Sequence, residues 1–216
     1  MKKLFFLTAL LFSISAIAQT NMTIHLSNGT TETFSLSNID SITYSNTAPP
    51  SYTVGDTGQA GIIFYDKGSY SNGWRYLEVY PDYMNQSLWG CSGQSISGTS
   101  DAIGTGQANT TAILNGCATP GIAARVVDNF FTNINGVNYD DWFLPSVEEL
   151  NMLYLSYNSS QLNYSFLMNG NQSIWSSTQS STSPSNSAWL ISMTGGNYFE
   201  DFKSTNAYAT LAVRKF

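Results

Sequence analysis

The chain has 216 residues, of which only 10% are charged, and its 14 acidic residues outnumber its 8 basic ones. An acidic chain with so few bases has little to offer phosphates, so we expect no nucleic-acid partner. Aromatic residues make up 14% of the chain, which excludes disorder for most of it. The single histidine leaves little scope for histidine-based acid–base or zinc chemistry.

Residues 1–18 are typical of a secretory signal peptide. A mostly apolar run of about 14 residues follows Lys2 and Lys3 and ends at an Ala-Ile-Ala sequence before Gln19. This run is shorter than the roughly 20 residues that a membrane-spanning helix needs, and no later segment is long and apolar enough to span a membrane. We therefore expect cleavage after Ala18 and a secreted, outer-surface or periplasmic location in a Gram-negative bacterium.

Residues 19–45 form a separate small unit. Alternating apolar and polar residues at 22–26 and 33–36 flank an Asn28-Gly29 pair, which predicts a β-hairpin. A third short extended stretch contains Ile39, Ile42 and Tyr44. A unit of two or three strands is marginally stable alone, so we expect it to dock on the main domain or on a partner.

Residues 46–59 are predicted to be a linker. Pro49 and Pro50 stiffen its start, while Gly55 and Gly58 loosen its end. The change of composition marks a domain boundary, so we expect the main domain to span 60–216.

The main domain opens with two predicted strands, at 61–65 and 74–80, separated by a turn-rich loop. A long stretch rich in glycine and serine follows at 81–106 and is expected to be a loop. It contains Cys91, and the other cysteine is Cys117.

The two cysteines form an even pair in an exported protein, which predicts a disulfide. The chain-entropy argument puts the stabilisation by that bond at roughly 3–4 kcal/mol. The alternative, a reactive thiol, needs surroundings that lower its pKa, and the sequence shows none.

Two amphipathic helices follow. Thr119 and Pro120 fit the N-cap and first position of a helix, and its apolar face would hold Ala123, Val126, Val127 and Phe130. Ser146 and Glu149 make a capping box, and the apolar face behind it would hold Leu150, Leu153, Tyr154 and Tyr157. The pattern at 108–115 also fits a shorter helix, although Thr110 and Thr111 are poor helix formers.

The last part of the chain is predicted to be an antiparallel meander. Its strands are expected at 173–178, 188–193, 197–203 and 209–216. Strands combined with two earlier helices give an α+β domain, preceded by the small hairpin unit.

The ordered motifs of the main domain resemble a known family. Residues 140–150, Asp-Asp-Trp-Phe-Leu-Pro-Ser-Val-Glu-Glu-Leu, are similar to the W-x-L-P-[ST]-x-x-E-L core of the DUF1566 family, the C-terminal domain of the Legionella collagen-like adhesin. Later marks of the family follow at 175–178, 188–189, 195–197 and 213–216, and earlier marks lie at 61–66, 73–78, 89–91, 102–106 and 109–110. The hairpin at 22–45 resembles a leader common in exported Bacteroidota proteins.

The resemblance implies a C-type-lectin-like fold, with antiparallel sheets and two helices, in a secreted or surface binding module. It carries over no catalytic set. The related formylglycine-generating oxidases depend on a cysteine pair near the end of the fold, whereas both cysteines lie earlier here. The adhesin's sulfated glycans are expected to need basic side chains, but the chain without its signal peptide would have a net charge of −8.

Several acidic residues are candidates for a catalytic or calcium site. Glu148 and Glu149 could form an acid–base pair, but acids in a first helical turn also favour the helix dipole, and we adopt that structural reading. Asp140 and Asp141 could bind calcium or lie in a solvated turn. No spaced acidic loop surrounds them, so we expect neither a metal nor a cofactor.

Aromatic residues are the better candidates for ligand binding. Trp142, Trp175 and Trp189 are expected in the core, whereas an aromatic ring in a polar loop could stack on a sugar. The candidate ligand-binding residues are Tyr83, Trp89, Tyr139, Asp140, Asp141 and Tyr198.

We therefore expect a non-enzymatic recognition module that binds a glycan or a surface protein, because residues rich in hydroxyls, amides and phenols give adaptable contacts. A structural subunit of a surface assembly, joined through the hairpin, is the alternative. A glycan-acting enzyme that uses paired acids is the third reading.

Overall fold

The computed structural model describes residues 20–25, 30–39, 50–162 and 173–216. Contacts between Cα atoms divide the chain into two units, Met1–Pro49 and Pro50–Phe216. The predicted signal peptide, the Asn28-Gly29 turn and the stretch with Ile42 and Tyr44 lie outside the described residues.

The first unit contains a β-hairpin. Strand β1 (Asn21–His25) pairs antiparallel with β2 (Thr31–Ser35), and a short 3-10 helix follows at Leu36–Asn38. This agrees with the alternating pattern of the sequence.

The second unit begins within the predicted linker. The Gly55 amide donates to the Ile63 carbonyl at 2.8 Å, and the Ile63 amide donates to the Asp56 carbonyl at 3.0 Å. Residues 50–59 therefore pack along the start of the first strand of this unit.

Two sheets organise the second unit. The three-stranded sheet has the order β12 (Val213–Lys215), β4 (Trp74–Val79), β3 (Ile62–Ser71), and all its pairs are antiparallel. The five-stranded sheet has the order β10 (Tyr198–Phe202), β9 (Ser187–Ser192), β8 (Ser173–Gln179), β11 (Tyr208–Thr210), β5 (Met84–Ser87). Among the described residues, three α-helices accompany them: α1 (Gly106–Gly116), α2 (Ala123–Asp128) and α3 (Val147–Asn158). The α+β class is confirmed.

The strands depart from the predicted meander in three ways. The β8–β11 pair is parallel, through Ala209 and Ile174. The predicted strand at 209–216 is two strands, β11 and β12, which belong to different sheets. The predicted loop at 81–106 contains β5, and an unpredicted hairpin of β6 (Thr132–Ile134) and β7 (Val137–Tyr139) precedes α3.

Helix α2 begins later than predicted. Ile122 is its N-cap, in an extended conformation, and Thr119 and Pro120 lie outside the helix. Gly121 has a φ of +68°, a left-handed conformation that interrupts any helix passing through it.

Helix α1 is longer than predicted because tertiary contacts support its threonines. Thr110 Oγ1 donates to the Gly106 carbonyl at 2.9 Å and also accepts a 3.0 Å hydrogen bond from the Leu144 amide. A hydroxyl that ties the helix to a neighbouring segment outweighs a small deficit in helix propensity.

Helix α3 has the predicted capping box. Ser146 Oγ accepts from the Glu149 amide at 3.2 Å, and the Glu149 carboxylate accepts from the Ser146 amide at 2.7 Å. Both residues are fully buried. The helix therefore begins at a position set by its own sequence.

Two apolar clusters fill the core. One joins α3 to both sheets through residues such as Phe143, Leu150 and Ile191. The other surrounds Trp142 and Trp175, as predicted for those two tryptophans. The predicted disulfide between Cys91 and Cys117 is present and borders this second cluster.

Candidate functional site

A cleft opens beside the first turn of α3. Its volume is about 710 Å³. One side is formed by Val147, Glu148 and Asn151 of α3, and the other by residues 96–101 and the end of β8. Trp189 of β9 and Tyr198 of β10 complete the lining. We call this the α3 cleft.

Buried amides fix the wall made by residues 96–101. Gln179 Oε1 accepts from the Ile96 amide at 2.8 Å, and Gln179 Nε2 donates back to the Ile96 carbonyl. Asn109 Oδ1 likewise accepts from the Ser100 amide at 2.8 Å, and Asn109 Nδ2 donates to the Ser100 carbonyl at 2.6 Å. Since both amides are buried, this wall is held rigidly although it has no regular secondary structure.

Lys203 supports the same wall through Gln179, which binds both Lys203 and Ile96. Its ammonium donates to the Gln94 carbonyl at 3.0 Å, to Gln179 Oε1 at 2.8 Å and to the Pro184 carbonyl at 2.6 Å. The ammonium also lies 4.2 Å from the centre of the Trp89 ring. Burial without a carboxylate partner lowers the pKa of Lys203 to about 8.

The α3 cleft also contains a carboxylate and a phenol that interact, those of Glu148 and Tyr198. The Tyr198 hydroxyl lies close enough to the Glu148 carboxylate for the two groups to interact, and Glu148 Oε2 also accepts from Asn151 Nδ2 at 3.3 Å. Desolvation, and secondly the negative charge of Glu148, raise the pKa of Tyr198 to about 12. Tyr198 is therefore a neutral donor at physiological pH, with 39% of its surface exposed.

Glu149 does not face the cleft as a reactive acid. Its carboxylate accepts from the amides of Ser146 and Gly104, at 2.7 and 2.8 Å, and the side chain is buried. Burial raises the pKa of Glu149, and these backbone hydrogen bonds oppose that shift. It closes the capping box, which is the structural role expected from the sequence.

The cleft has an acidic and amphipathic character. Its charged lining residues are Asp101 and Glu148, and its aromatic residues are the half-buried Trp189 and the exposed Tyr198. None of the described lining residues is basic. Hydroxyls and amides supply most of the remaining polar surface, from residues such as Thr99, Ser100, Asn151 and Ser181.

Of the ligand-binding residues predicted from the sequence, the structure places Tyr198 in the α3 cleft. Trp89 is only 1% exposed, and its indole N–H donates to the Ser176 carbonyl at 2.8 Å. The expectation that Trp89 stacks on a ligand is therefore corrected, because its ring is enclosed in the core. Tyr83 is half-buried against the other core cluster, where desolvation raises the pKa of its hydroxyl.

The other three predicted residues, Tyr139, Asp140 and Asp141, lie outside the cleft lining, and two of them contact Arg214. The Asp141 carboxylate pairs with Arg214 Nε at 2.7 Å, and the guanidinium carbon lies 4.8 Å from the centre of the Tyr139 ring. Asp140 is exposed. The described residues include no group of three or more histidine, cysteine or acidic side chains that could hold a metal ion.

Sequence reasoning missed most of the cleft. Asp101, Asn151 and Gln179 carried no motif, and Trp189 was assigned wholly to the core although it is half-buried. Glu148 was considered only as a partner of Glu149. Its position next to the predicted helix N-terminus was the one signal that could have marked this region.

The model of the Lcl C-terminal domain family matches residues 86–214, which is more than half of the chain. The chain therefore belongs to the Lcl C-terminal domain family. This confirms the resemblance to the C-terminal domain of the Legionella collagen-like adhesin. Every lining residue of the α3 cleft lies within the matched range. A search of curated proteins found no match.

Membership of the Lcl C-terminal domain family suggests an adhesin-like surface module that has a binding partner. Within the described part of the chain, no helix has the length and apolar character needed to cross a membrane.

Proposed function

We propose that this chain is a secreted or surface-exposed, non-enzymatic recognition module with a C-type-lectin-like fold, and that its α3 cleft binds a glycan without sulfate groups. The observation that carries the proposal is the lining of the cleft. An exposed Tyr198 ring and a half-buried Trp189 lie among hydroxyls and amides, and no basic residue lies among them. Aromatic rings beside a few polar groups suit the apolar face and the hydroxyls of a sugar.

The absence of basic lining residues argues against a sulfated ligand. Sulfate recognition depends on arginine or lysine donors, whereas the charged groups of this lining are Asp101 and Glu148. The ammonium of Lys203 lies behind the wall, and its three N–H bonds are used by three protein oxygens.

The same carboxylates are poorly suited to glycoside hydrolysis. A glycosidase needs one protonated and one ionised carboxyl group. Asp101 is exposed, and Glu148 accepts a hydrogen bond from Asn151 Nδ2 at 3.3 Å. Nothing in this arrangement distinguishes one of the two carboxyl groups as the acid, which supports a binding role.

A glycan array tests the proposal. Purified protein is applied with calcium and, separately, with a chelator, and we expect binding of unsulfated glycans in both buffers. Tyr198→Ala should abolish the signal, since it removes the exposed ring from the cleft. Tyr70→Ala is the matched control, because Tyr70 is 60% exposed on β3 and is not part of the lining. Equal loss in both variants, or no binding of any glycan, would contradict the proposal.

A second candidate function is assembly through the N-terminal hairpin. Ile24 and Phe34 are each 40% exposed, and the register Met22↔Phe34 places them on one face of the hairpin. An exposed apolar face on a two-stranded unit favours a docking role. Deleting residues 19–49 should then abolish assembly and leave the thermal unfolding of the second unit unchanged; unaltered assembly would count against this function.

A further inference from the structure

Two acidic residues, Asp101 and Glu148, line the α3 cleft. The Glu148 amide donates to the Asp101 carbonyl at 3.2 Å, so the first turn of α3 is in direct contact with the wall of residues 96–101. Both side chains line the cleft. The described lining contains no lysine, arginine or histidine that could neutralise them from within the cleft.

The buried ammonium of Lys203 does not supply that neutralising contact. Its three N–H bonds end on Gln94, Gln179 and Pro184, and the Trp89 ring covers it. An ammonium has three donors, so none remains for a ligand. The carboxylates of Asp101 and Glu148 therefore have no cationic partner among the described lining residues.

The aromatic groups stand next to these charges. The Tyr198 hydroxyl interacts with the Glu148 carboxylate, and both side chains line the cleft. Trp189 lies on the adjacent strand, β9, in the same lining. A cation placed near Glu148 would meet an anion and aromatic surface together, which is the combination that binds ammonium groups.

From this arrangement we infer that the ligand of the α3 cleft is an amino sugar with a free, protonated amine, and that Glu148 binds the ammonium group. This inference rests on the proposed glycan-binding function and adds the charge of the ligand. The sugar ring would stack on Tyr198, and its hydroxyls would meet the polar wall of residues such as Thr99 and Ser100.

The polar lining favours a sugar over a lysine side chain. A lysine stem brings four methylene groups that need an apolar channel, but the aliphatic lining is limited to Ile96, Val147 and Pro184. Polar residues make up most of the remaining wall, so a polyol with one ammonium group fits it better.

The test is a calorimetric titration of the full protein with three oligosaccharides of equal length, in a buffer acidic enough to protonate the amine of glucosamine. They are β-1,4-linked glucosamine, its fully N-acetylated form and the corresponding glucose oligomer. We expect the glucosamine oligomer to bind at least about tenfold more tightly than the other two. This preference should shrink between about 0.01 M and about 1 M salt, where the Debye length falls from about 30 Å to about 3 Å.

Glu148→Gln keeps the shape of the side chain and removes its charge. We expect it to lower the affinity for the glucosamine oligomer about tenfold and to leave the N-acetylated oligomer unaffected. Asp101→Asn should cause a smaller loss in the same direction, because Asp101 is exposed. Asp128→Asn is the charge-matched control at the exposed end of α2, and it should change neither affinity.

Other results would overturn the inference. If the three oligomers bind equally and Tyr198→Ala abolishes that binding, the proposed function stands but the ligand does not need an amine. Binding that disappears with a chelator would assign the carboxylates to calcium. Tighter binding of a lysine peptide would assign the site to protein ligands, and no binding of any oligosaccharide, there or on the array, would remove the proposed function itself.

Discussion

Two buried cations hold the second unit together in different ways. Arg214 is 6% exposed and pairs with two carboxylates, Glu78 at 2.7 Å and Asp141 at 2.7 Å. Lys203 is fully buried, and its three partners are the neutral oxygens of Gln94, Gln179 and Pro184. The first network joins β12 to β4, and the second joins the wall of the α3 cleft to the loop after β10.

The pKa values of Arg214 and Lys203 reflect this difference in partners. Burial opposes the charge of Arg214, but the hydrogen bonds that it donates to Asp141 and Glu78 outweigh burial and raise its pKa above the ordinary value. At Lys203 burial meets no opposing charge and lowers the pKa to about 8. A buried cation with charged partners is thus fixed, whereas one with neutral partners can lose its proton close to physiological pH.

Arg214→Met tests the charged network, and we expect the largest effect there. The variant leaves Glu78 buried without its cation, so the free energy of unfolding should fall by about 3–5 kcal/mol in urea titrations. Arg75→Met is the matched control, since the Arg75–Asp66 pair is partly exposed and should contribute less than about 1 kcal/mol. Equal losses in the two variants would contradict the special role of the buried pair.

The disulfide supports the neutral network, because Gln94 lies inside the loop that Cys91 and Cys117 close. Replacing both cysteines by alanine should lower the free energy of unfolding by about 3–4 kcal/mol through loop entropy. Urea titration measures this loss, and a reducing agent should destabilise the unaltered protein but not the variant. A variant as stable as the unaltered protein would show that the loop is already fixed by Lys203 and Gln179.

Lys203→Met tests the neutral network directly. It removes the donor from two partly buried carbonyl groups and from the buried Gln179 amide, so we expect a loss of about 2–3 kcal/mol in the free energy of unfolding. Lys67→Met is the control, because Lys67 also lies over a tryptophan, 3.9 Å from the Trp74 ring centre, but donates to a single carbonyl in the β3–β4 hairpin. A cost as small as that of Lys67→Met would mean that water replaces the ammonium.

Local signals explain which elements the sequence could predict. The capping box of Ser146 and Glu149 is complete within four residues, so the start of α3 followed from the sequence. The disulfide followed from the number of cysteines and the expected export. Helix α1 was underestimated because the contacts that stabilise Thr110 and Asn109 come from Leu144 and Ser177, which are distant in sequence.

The site was harder to predict for the same reason. Trp89 lies in a polar segment, which suggested that it is exposed. Its ring instead packs against Lys203, which is distant in the sequence. Glu148 and Asp101 meet only because α3 contacts a wall that two buried amides hold in place. Tyr198 was predicted because an aromatic ring among polar residues could stack on a sugar, and no feature of the sequence indicated that Glu148 lies beside it.

The smallest expected effect is a pH dependence that belongs to Lys203 alone. Below pH 8 the side chain is charged in both the folded and the unfolded chain. Between about 8 and the ordinary value of 10.5, the unfolded chain holds a proton that the folded chain has lost. Stability therefore rises with pH in this window, and the cost of Lys203→Met should be about 1 kcal/mol greater at pH 9 than at pH 7.

Gln179→Glu sharpens the comparison, because it gives Lys203 the kind of partner that Arg214 has. A carboxylate within hydrogen-bonding distance raises the pKa of an ammonium, so the rise in stability between pH 7 and pH 9 should disappear in this variant. Urea titrations at the two pH values measure the effect, and other titrating groups cancel when each variant is compared with the unaltered protein. If the stability of either Gln179→Glu or Lys203→Met still rises between pH 7 and pH 9 as much as that of the unaltered protein, a group other than Lys203 is responsible. The two cations would then differ in their partners and not in their pKa values.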